Sequence, residues 1–417
     1  MNLKKSVVII SFGTLLEWAE FTFFAYMVDY LSRLFFSAND VTLARLKIYG
    51  VFAASYIMRP IGAIIFGHIG DKYGRKTPMI ASLLLMAFAT CGIGILPTYD
   101  SIGGVSSFLL IILRMIQGIA VGGEFNGATV LLTEYDKRRP FLAGSWTAFA
   151  SSAGMALGSL AAAIVSFFNG SFLWRIPFLL SAIIALFAVY LRRDMKETDD
   201  FRLAKENNEL FDVPISAAWR HNKAGLACTA AFSIFVSVFV YTGNIYYKTM
   251  AVSVGGLPVE QAATAVMIGV MLNTVLIPIF AYMADRFNGY KLCFIGLFLA
   301  LILSPLIMSL AISGNFAYTV LGQLIYSIPD ATVSATAFTI LLRQFKTGAK
   351  YSGSGLAWSI STAIFGGTTL MVNELLVGRL NLPVGPGLYM SLSALICLIT
   401  VGYVCGNQLK SDIARND

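Results

Sequence analysis

The sequence predicts an all-α polytopic membrane protein, with twelve transmembrane helices in two pseudo-symmetric six-helix bundles. Of its 417 residues, 57% are apolar and only 12% are charged, and the mean hydropathy is +0.74. A soluble domain carries about 25% charged residues, so this chain has too little polar surface to cover a globule in water. A spanning helix needs about 20 mostly apolar residues, and twelve apolar runs of about this length follow one another along the chain.

The apolar runs give the positions of the expected helices. They cover residues 6–34, 48–70, 77–97, 105–133, 142–168, 173–191, 224–247, 261–284, 291–313, 316–341, 353–377 and 386–406. One long polar segment separates the sixth run from the seventh. We therefore predict an N-terminal bundle at residues 1–192, a linker at 193–222, and a C-terminal bundle with a short tail at 223–417.

Lysine and arginine are distributed unevenly over the connecting segments, and this bias indicates orientation. Of the 30 basic residues, twenty-two lie with the two termini and the even-to-odd connections, and six lie on the opposite side. The bias predicts a plasma membrane protein of the bacterial inner-membrane type, with both termini in the cytoplasm. The net charge of +8 is therefore a topology signal, and no nucleic-acid partner is indicated.

Cysteine and histidine form no recognisable metal or disulfide pattern. The five cysteines are scattered through apolar runs without paired spacing, and the chain has only two histidines. We expect no metal ion and no disulfide framework. The chain also contains no set of a nucleophile and a base that would indicate an enzyme.

The two halves of the chain contain related loop sequences. The loop after the second run is GHIGDKYGRK from Gly67, and the loop after the eighth run is AYMADRFNGYK from Ala281. This alignment places Asp71 opposite Asp285. Two repeated six-helix halves, with a substrate site near the midplane between them, are a known plan for transporters.

GHIGDKYGRK resembles the loop signature G-x-x-x-D-[RK]-x-G-R-[KR] of the major facilitator superfamily. Other segments resemble the metabolite:proton symporter family within it. They are GTLLEWAEF in the first helix, RPIG in the second, RMIQGIAVGGE in the fourth and WRIPFLL in the sixth, followed by Glu197-Thr198, YSGSG from Tyr351 and FGGT from Phe365. The resemblance covers nearly the whole chain.

The resemblance implies a proton-coupled symporter that imports a small carboxylate-bearing metabolite by alternating access. Members of the family carry osmolytes such as proline and betaine, or carboxylates such as α-ketoglutarate, citrate and shikimate. A citrate-type siderophore fits the same description. We expect a functional monomer in a lipid bilayer, with protons as the coupling ion and no cofactor. An exporter or uniporter of the same fold stays open, and a non-transporting nutrient sensor is a more distant alternative.

The sequence also departs from the family pattern. Thr14 and Glu20 stand where the family has Asn and Asp, and Ala19 replaces an aromatic residue. Before the eleventh helix, RQFK at residues 343–346 replaces an acidic-Phe-Pro motif. These departures leave the substrate open.

Ionisable side chains inside a bilayer cost about 2.5–3.5 kcal/mol each on insertion scales, so they are functional candidates by default. Glu17 and Glu20 share one face of the first helix, and their repulsion in a low-dielectric site favours protonation of one of them. Arg114 lies on one stripe of the fourth helix with Gln117 and Glu124, and it matches the family arginine that is associated with proton coupling. We predict that Glu17, Glu20, Arg114 and Glu124 couple transport to protons.

The substrate is expected to bind buried polar groups of several helices. Arg59 carries a planar fork that suits a carboxylate, and Asp330 follows a helix-opening proline. The predicted substrate ligands are Arg59, Arg114, Gln117, Tyr241, Asn244, Asn273 and Asp330. Three structural alternatives stay open. The first is that Glu17 only neutralises an arginine in a fixed pair. The second is that Arg59 snorkels to a lipid headgroup. The third is that the polar groups of the seventh and eighth helices only form hydrogen bonds between helices.

The repeated loop also predicts a conformational latch. Asp71 can accept hydrogen bonds from amides at the start of the eleventh helix, where the helix dipole favours an anion, and Arg75 can reach Glu134. Both contacts would close the cytoplasmic side and would be lost when that side opens. The predicted latch residues are Gly67, Asp71, Gly74, Arg75 and Glu134. The alternative, that the basic loop residues only serve the topology bias, leaves Asp71 unexplained.

Overall fold

A computed structural model describes residues 3–36, 41–168, 172–193, 197, 199–207, 214–345 and 349–413. Within these residues the chain is almost entirely helical. A helix satisfies every backbone polar group within its own segment, which a bilayer requires. Long apolar runs that are separated by short polar loops therefore fold as successive helices.

The helices follow one another with short connections. The first half contains α1 (Leu3–Tyr26), α2 (Val28–Phe35), α3 (Val41–Tyr73), α4 (Lys76–Ile95), α5 (Tyr99–Ile102), α6 (Gly104–Tyr135), α7 (Pro140–Phe168), α8 (Arg175–Arg192), α9 (Asp199–Glu206) and α10 (Pro214–His221). The second half contains α11 (Lys223–Val240), α12 (Tyr247–Ser253), α13 (Val259–Arg286), α14 (Gly289–Ala311), α15 (Phe316–Leu342), α16 (Lys350–Ser361), α17 (Gly367–Gly378) and α18 (Gly385–Ile413). Two π-helical segments, Tyr241–Tyr246 and Thr362–Gly366, join α11 to α12 and α16 to α17.

Each of the twelve expected helices has a counterpart at its expected place. The first is divided at Met27 into α1 and α2, and the seventh and eleventh each contain a π-helical segment. Ten stretches of the described chain are long and apolar enough to cross a bilayer. The prediction of a multi-pass, all-α membrane fold is therefore confirmed, and the predicted linker contains the short helices α9 and α10.

Helix packing divides the chain into two compact units, and both are discontinuous in sequence. Unit 1 comprises Met1–Tyr135, Ala150–Ala217 and Thr347–Ala363, and unit 2 comprises Asp136–Phe149, Ala218–Lys346 and Ile364–Asp417. The first turns of α7 thus belong to unit 2, and α16 belongs to unit 1. The units follow packing and not chain order, so the predicted domain limits at residues 192 and 223 stay a prediction.

Two glycines of α6 bring its backbone against that of α3 in unit 1. A Cβ atom at Gly118 would collide with the carbonyl oxygen of Ser55, and one at Gly122 would collide with that of Arg59. Small residues allow such close approach where lipid supplies no hydrophobic force between helices. The contact sets the register of the two helices that carry Arg59 and Arg114.

In unit 2, α15 is largely buried and packs against α13 and α14. A Cβ atom at Gly243, in the π-helical segment, would collide with the ring of Tyr326. A Cβ atom at Gly269 of α13 would collide with Oε1 of Gln323. The π-helical segment and α13 therefore each approach α15 at a glycine.

Arg192, the last residue of the predicted N-terminal bundle, is buried at the end of α8. Its Nη1 donates to the carbonyl oxygen of Met79 at 3.1 Å, and its Nη2 donates to that of Ile10 at 3.0 Å. The side chain bonds to neighbouring helices because its two donors find carbonyl oxygens there.

We predict that Gly118→Ala lowers the stability of the protein by about 1–3 kcal/mol, the usual cost of overpacking. The added methyl group collides with the carbonyl oxygen of Ser55, which is backbone and cannot rotate away. Gly104→Ala, at the start of the same helix, is the control because its Cβ would meet nothing within 4 Å. Thermal unfolding in detergent measures both variants, and equal melting temperatures would contradict the backbone contact.

Candidate functional site

A chain of hydrogen bonds in unit 1 joins three predicted site residues. Nη1 of Arg114 donates to Oε1 of Gln117 at 2.8 Å, and Nε2 of Gln117 donates to Oε1 of Glu20. The hydroxyl of Thr90 donates to the other carboxyl oxygen of Glu20 at 2.6 Å. All four side chains are buried. The two ends of the Gln117 amide face opposite charges, so the orientation of the amide is fixed. We call the set of Arg114, Gln117, Glu20 and Thr90 the relay.

Aromatic rings contact Arg59 and Arg114, the two predicted site arginines of unit 1. The guanidinium of Arg114 lies 4.0 Å from the ring centre of Phe24 and 5.5 Å from that of Phe21. The guanidinium of Arg59 lies 4.0 Å from the ring centre of Tyr56 and 5.1 Å from that of Phe21. A cation over a ring face is stabilised by about 2 kcal/mol or more when it is desolvated. Phe21 therefore serves both cations.

Arg59 is enclosed by protein. Its side chain is only 5% exposed, and the ring of Tyr56 beside it is fully buried. This placement argues against a snorkelling arginine. No carboxylate among the described side chains lies within ion-pair distance of Arg59. A buried guanidinium in this state can accept a negative ligand.

The remaining coupling candidates of unit 1 differ in what the structure describes. Glu17 is 3% exposed on the same helix as Glu20, so both acids of α1 are buried. The side chain of Glu124 lies outside the described residues. The structure therefore brings Glu20, Gln117 and Arg114 together and buries Glu17 and Arg59 in the same unit.

A second polar cluster lies in unit 2. Nδ2 of Asn273 donates to Oδ2 of Asp330 at 2.8 Å, and both side chains are buried. Nε2 of Gln323, two turns before Asp330 on α15, donates to the carbonyl oxygen of Gly243 at 2.8 Å. The predicted polar groups of the eighth and tenth helices thus bond to each other.

The π-helical segment Tyr241–Tyr246 contains Tyr241 and Asn244, and both are buried. Such segments in helices are rare and are frequent at functional sites. The seventh and eleventh helices are also joined here. Nδ2 of Asn373 donates to the hydroxyl of Thr242 at 2.9 Å, and the hydroxyl of Tyr246 donates to Glu374 at 3.0 Å.

The predicted latch contacts are present in unit 1. The carboxylate of Asp71 accepts hydrogen bonds from the amides of Tyr351 at 3.2 Å and Ser352 at 2.7 Å, at the start of α16. Arg75 forms an ion pair with Asp71, and its Nη2 lies 3.5 Å from Oε1 of Glu134. The latch is therefore a charged network that ends on the first turn of α16.

Burial and charge have opposite effects on the pKa values of the latch. Asp71 follows the apolar run of its helix, where burial raises its pKa and the Arg75 guanidinium and the Ser352 amide oppose the rise. Burial alone would lower the pKa of Arg75, but the charges of Glu134 and Asp71 outweigh burial and hold the pKa above its ordinary value. Lys350, at the start of α16, lies 3.5 Å from the same oxygen of Glu134.

The latch glycines have steric roles. A Cβ atom at Gly67 would lie 2.9 Å from the Cα atom of Ser352, which is closer than real Cβ atoms approach. Gly74 has a φ of +118°, a backbone conformation that side chains disfavour, and its Cβ would collide with Glu197. These two positions therefore require glycine.

The repeat partner of Asp71 makes the same contact in unit 2. Asp285 accepts hydrogen bonds from the amides of Phe141 at 2.9 Å and Leu142 at 2.8 Å, at the start of α7. In both units a carboxylate at the end of one helix therefore caps the free amides of another. The alignment of the two loops predicted this correspondence.

The structure offers no metal centre in the part of the chain that it describes. No group of three or more His, Cys, Asp or Glu residues there could hold a metal ion. The expectation that no cofactor is bound stays a prediction.

Comparison with known proteins identifies the family. The family model described as Major Facilitator Superfamily matches residues 10–369, which is most of the chain. The chain belongs to this superfamily. The family resemblance that the loop and helix motifs predicted is thereby confirmed.

Relatives and solved structures agree with this assignment. The proline/betaine transporter of Escherichia coli (strain K12) is 28% identical and covers 96% of this chain and 83% of its own length. A protein of Staphylococcus aureus (strain COL) that is named for the same proline/betaine class is 31% identical over 99% of this chain and 91% of its own length.

The solved structures show the fold. The proton:xylose symporter XylE has a TM-score of 0.76 at 15% identity, with 96% of this chain and 94% of that chain covered. The human organic anion transporter MFSD10 has a TM-score of 0.72 at 15% identity, with 96% and 100% covered. The chain is therefore a multi-pass membrane transporter of this superfamily and not an enzyme.

We predict that Asp71→Asn exposes the amides of Tyr351 and Ser352 and slows transport. The change keeps the shape of the side chain and removes a charge-assisted contact. The ratio of the closed to the open state should therefore fall by about 10- to 100-fold. Hydrogen–deuterium exchange at the start of α16 measures the loss of protection. Asp100→Asn is the control because Asp100 is exposed. Unchanged exchange in Asp71→Asn would show that the latch does not hold this helix.

Proposed function

We propose that the chain is a proton-coupled symporter that imports a small carboxylate-bearing metabolite by alternating access. One observation carries the proposal. The relay joins Glu20 to Arg114 through Gln117, and the guanidinium groups of Arg59 and Arg114 both contact the ring of Phe21. The proline/betaine relatives and the fold likeness to a proton symporter support the same function.

The charges of unit 1 supply the coupling. The two acids of α1 and the two arginines cancel when all four are ionised. Protonation of Glu20 removes the negative charge at one end of the relay and leaves one net positive charge in a buried site. A buried charge without a partner costs several kcal/mol, so the protonated state favours binding of a carboxylate. Proton and substrate therefore bind cooperatively.

The arginines select the class of substrate. A guanidinium binds a carboxylate through two parallel hydrogen bonds, which a lysine cannot reproduce. Organic acids, amino acids, betaine-type osmolytes and citrate-type siderophores all carry this group. The names of the relatives favour a zwitterion of the proline or betaine kind.

Gln117 has a different role in this proposal from the one that the sequence indicates. Its carbonyl oxygen accepts from Arg114 and its amide donates to Glu20. We assign it to the relay rather than to direct substrate binding. Asp330, Asn273, Tyr241 and Asn244 stay proposed as the polar contribution of unit 2 to substrate binding.

Alternating access requires contacts that form and break. The latch supplies such contacts, since it consists of ion pairs and of hydrogen bonds to the first amides of α16. We propose that the latch closes the cytoplasmic side in a bacterial-type inner membrane, with both termini in the cytoplasm. The transporter then works as a monomer and uses no cofactor besides the proton.

Two other functions are distinguishable by experiment. An exporter or uniporter would move substrate without uphill uptake driven by an inward proton gradient. A nutrient sensor would bind substrate and move none. A thermal-shift screen of amino acids, betaines, di- and tricarboxylates and citrate-type siderophores identifies the ligand, and uptake of that ligand into proteoliposomes separates the three.

We predict that Glu17→Gln, Glu20→Gln and Arg114→Ala abolish uptake driven by a pH gradient while the protein still inserts. The changes remove one acid of α1 or the cation that the relay serves. Glu260→Gln, at an exposed position of α13, is the matched control and should transport normally. Gradient-driven accumulation by all three variants at the wild-type rate would refute proton symport through these residues.

We predict that the substrate binds more tightly as the pH falls from about 8 to about 6, by up to about tenfold per pH unit if one proton is linked. Protonation of Glu20 releases Arg114 for the substrate, so Glu20→Gln should flatten this dependence. Arg59→Lys should weaken binding although it keeps the charge, and Arg33→Lys at an exposed position is the control. Calorimetry with the carboxylate from the screen tests all of these, and equal affinity at both pH values would exclude the linkage.

A further inference from the structure

A groove lies at the corner between α13 and α14 in unit 2. Its volume is about 610 Å³, and it is lined by Met283, Arg286, Phe287, Asn288, Lys291, Leu292 and Ile295. The lining thus combines two cations with four large apolar side chains. Neither transport nor the latch uses these residues.

The first repeat fills the corresponding corner with its own chain. The carboxylate of Glu197 accepts a hydrogen bond from the amide of Lys76, in the first turn of α4, at 3.3 Å. Phe201 of α9 lies 5.4 Å from the guanidinium of Arg75. An anion and an apolar ring therefore occupy the corner between α3 and α4.

The second repeat lacks this anion among the residues that the structure describes. The amide of Lys291, in the first turn of α14, donates at 2.9 Å to the side chain of Asn288, which is neutral. No described carboxylate lies within ion-pair distance of Arg286 or Lys291. The carboxylate of Asp285 is already bonded to the first turn of α7. The corner therefore keeps its positive charge.

An adjoining cavity of about 250 Å³ increases this charge. It shares Phe287 and Asn288 with the groove and adds Arg138, Arg343 and Asp285. The carboxylate of Asp285 is bonded to the amides of α7, and Asp136 accepts hydrogen bonds from the amides of Arg138 and Arg139. The surroundings of the groove are thus cationic, which favours an anionic occupant.

The position of the groove limits the kind of anion. One apolar stretch ends at Arg286 and the next begins at Gly289, so the cations lie at the level where spanning helices meet the headgroups. Met283 and Ile295 lie one turn or more inside these stretches and are exposed, at the depth of acyl chains. A free phosphate would use the cations and leave the apolar wall empty.

We propose that this groove binds one anionic phospholipid. Its phosphate contacts Arg286 and Lys291, and an acyl chain lies along Met283 and Ile295. Basic pockets beside spanning helices bind lipid headgroups in this way. The lipid takes the place that Glu197 and Phe201 take in the first repeat.

Native mass spectrometry of the full-length protein tests the proposal with phosphatidylglycerol and phosphatidylcholine as probes. The wild type should retain phosphatidylglycerol in preference to phosphatidylcholine. The double variant Arg286→Gln/Lys291→Gln should bind phosphatidylglycerol about thirtyfold more weakly, since two near-surface cations are lost. Arg220→Gln/Lys223→Gln removes the same charge from exposed positions outside the groove and should retain the lipid.

Two further measurements distinguish a bound phospholipid from a free anion. Ile295→Asn should weaken retention of phosphatidylglycerol and leave the melting temperature in lipid-free detergent unchanged, because Ile295 is exposed. Inorganic phosphate should give no thermal stabilisation. Stabilisation by phosphate equal to that by the lipid would show a free-anion site and overturn the proposal. Equal loss of lipid in the two double variants would overturn it as well, since binding would then follow net charge alone.

Discussion

The cost of a buried charge in a low-dielectric interior determines the arrangement of both units. In unit 1, Arg114 is bonded through Gln117 to Glu20 and is also covered by aromatic rings. Each contact is modest in water, but leaving the guanidinium unsatisfied inside a membrane would cost several kcal/mol. The relay therefore stays formed because breaking it would leave a buried charge unpaired. Protonation of Glu20 changes that free-energy cost.

Glycine contacts make this electrostatic arrangement possible. The backbones of α3 and α6 touch at Gly118 and Gly122, which fixes Arg59 and Arg114 on neighbouring helices at short range. A larger side chain at either glycine would separate the helices before it affected any charge. The positions of the charged groups therefore depend on the register in which α3 and α6 pack against each other.

Much of the site was predictable from sequence because ionisable residues are conspicuous in apolar runs. Glu20 and Arg114 were predicted together, and the repeated loop predicted the contact of Asp71 with α16. Thr90 and Phe21 were not predicted, since a neutral hydroxyl or one of 31 phenylalanines carries no distinguishing pattern. The burial of Arg192 was not predicted, because its carbonyl partners come from other helices and sequence does not show which helices pack together.

The first turns of α7 belong to unit 2, although they precede most of that unit in sequence, and this has a consequence for biosynthesis. The amides of Phe141 and Leu142 are capped by Asp285, which follows Phe141 by 144 residues. At about 5–20 residues per second a ribosome takes on the order of ten seconds to make that stretch. Until then the amides in the first turn of α7 have no native acceptor. The N-terminal half therefore emerges from the ribosome before this helix end can be capped. Completion of the first turn of α7 is therefore timed by the synthesis of α13.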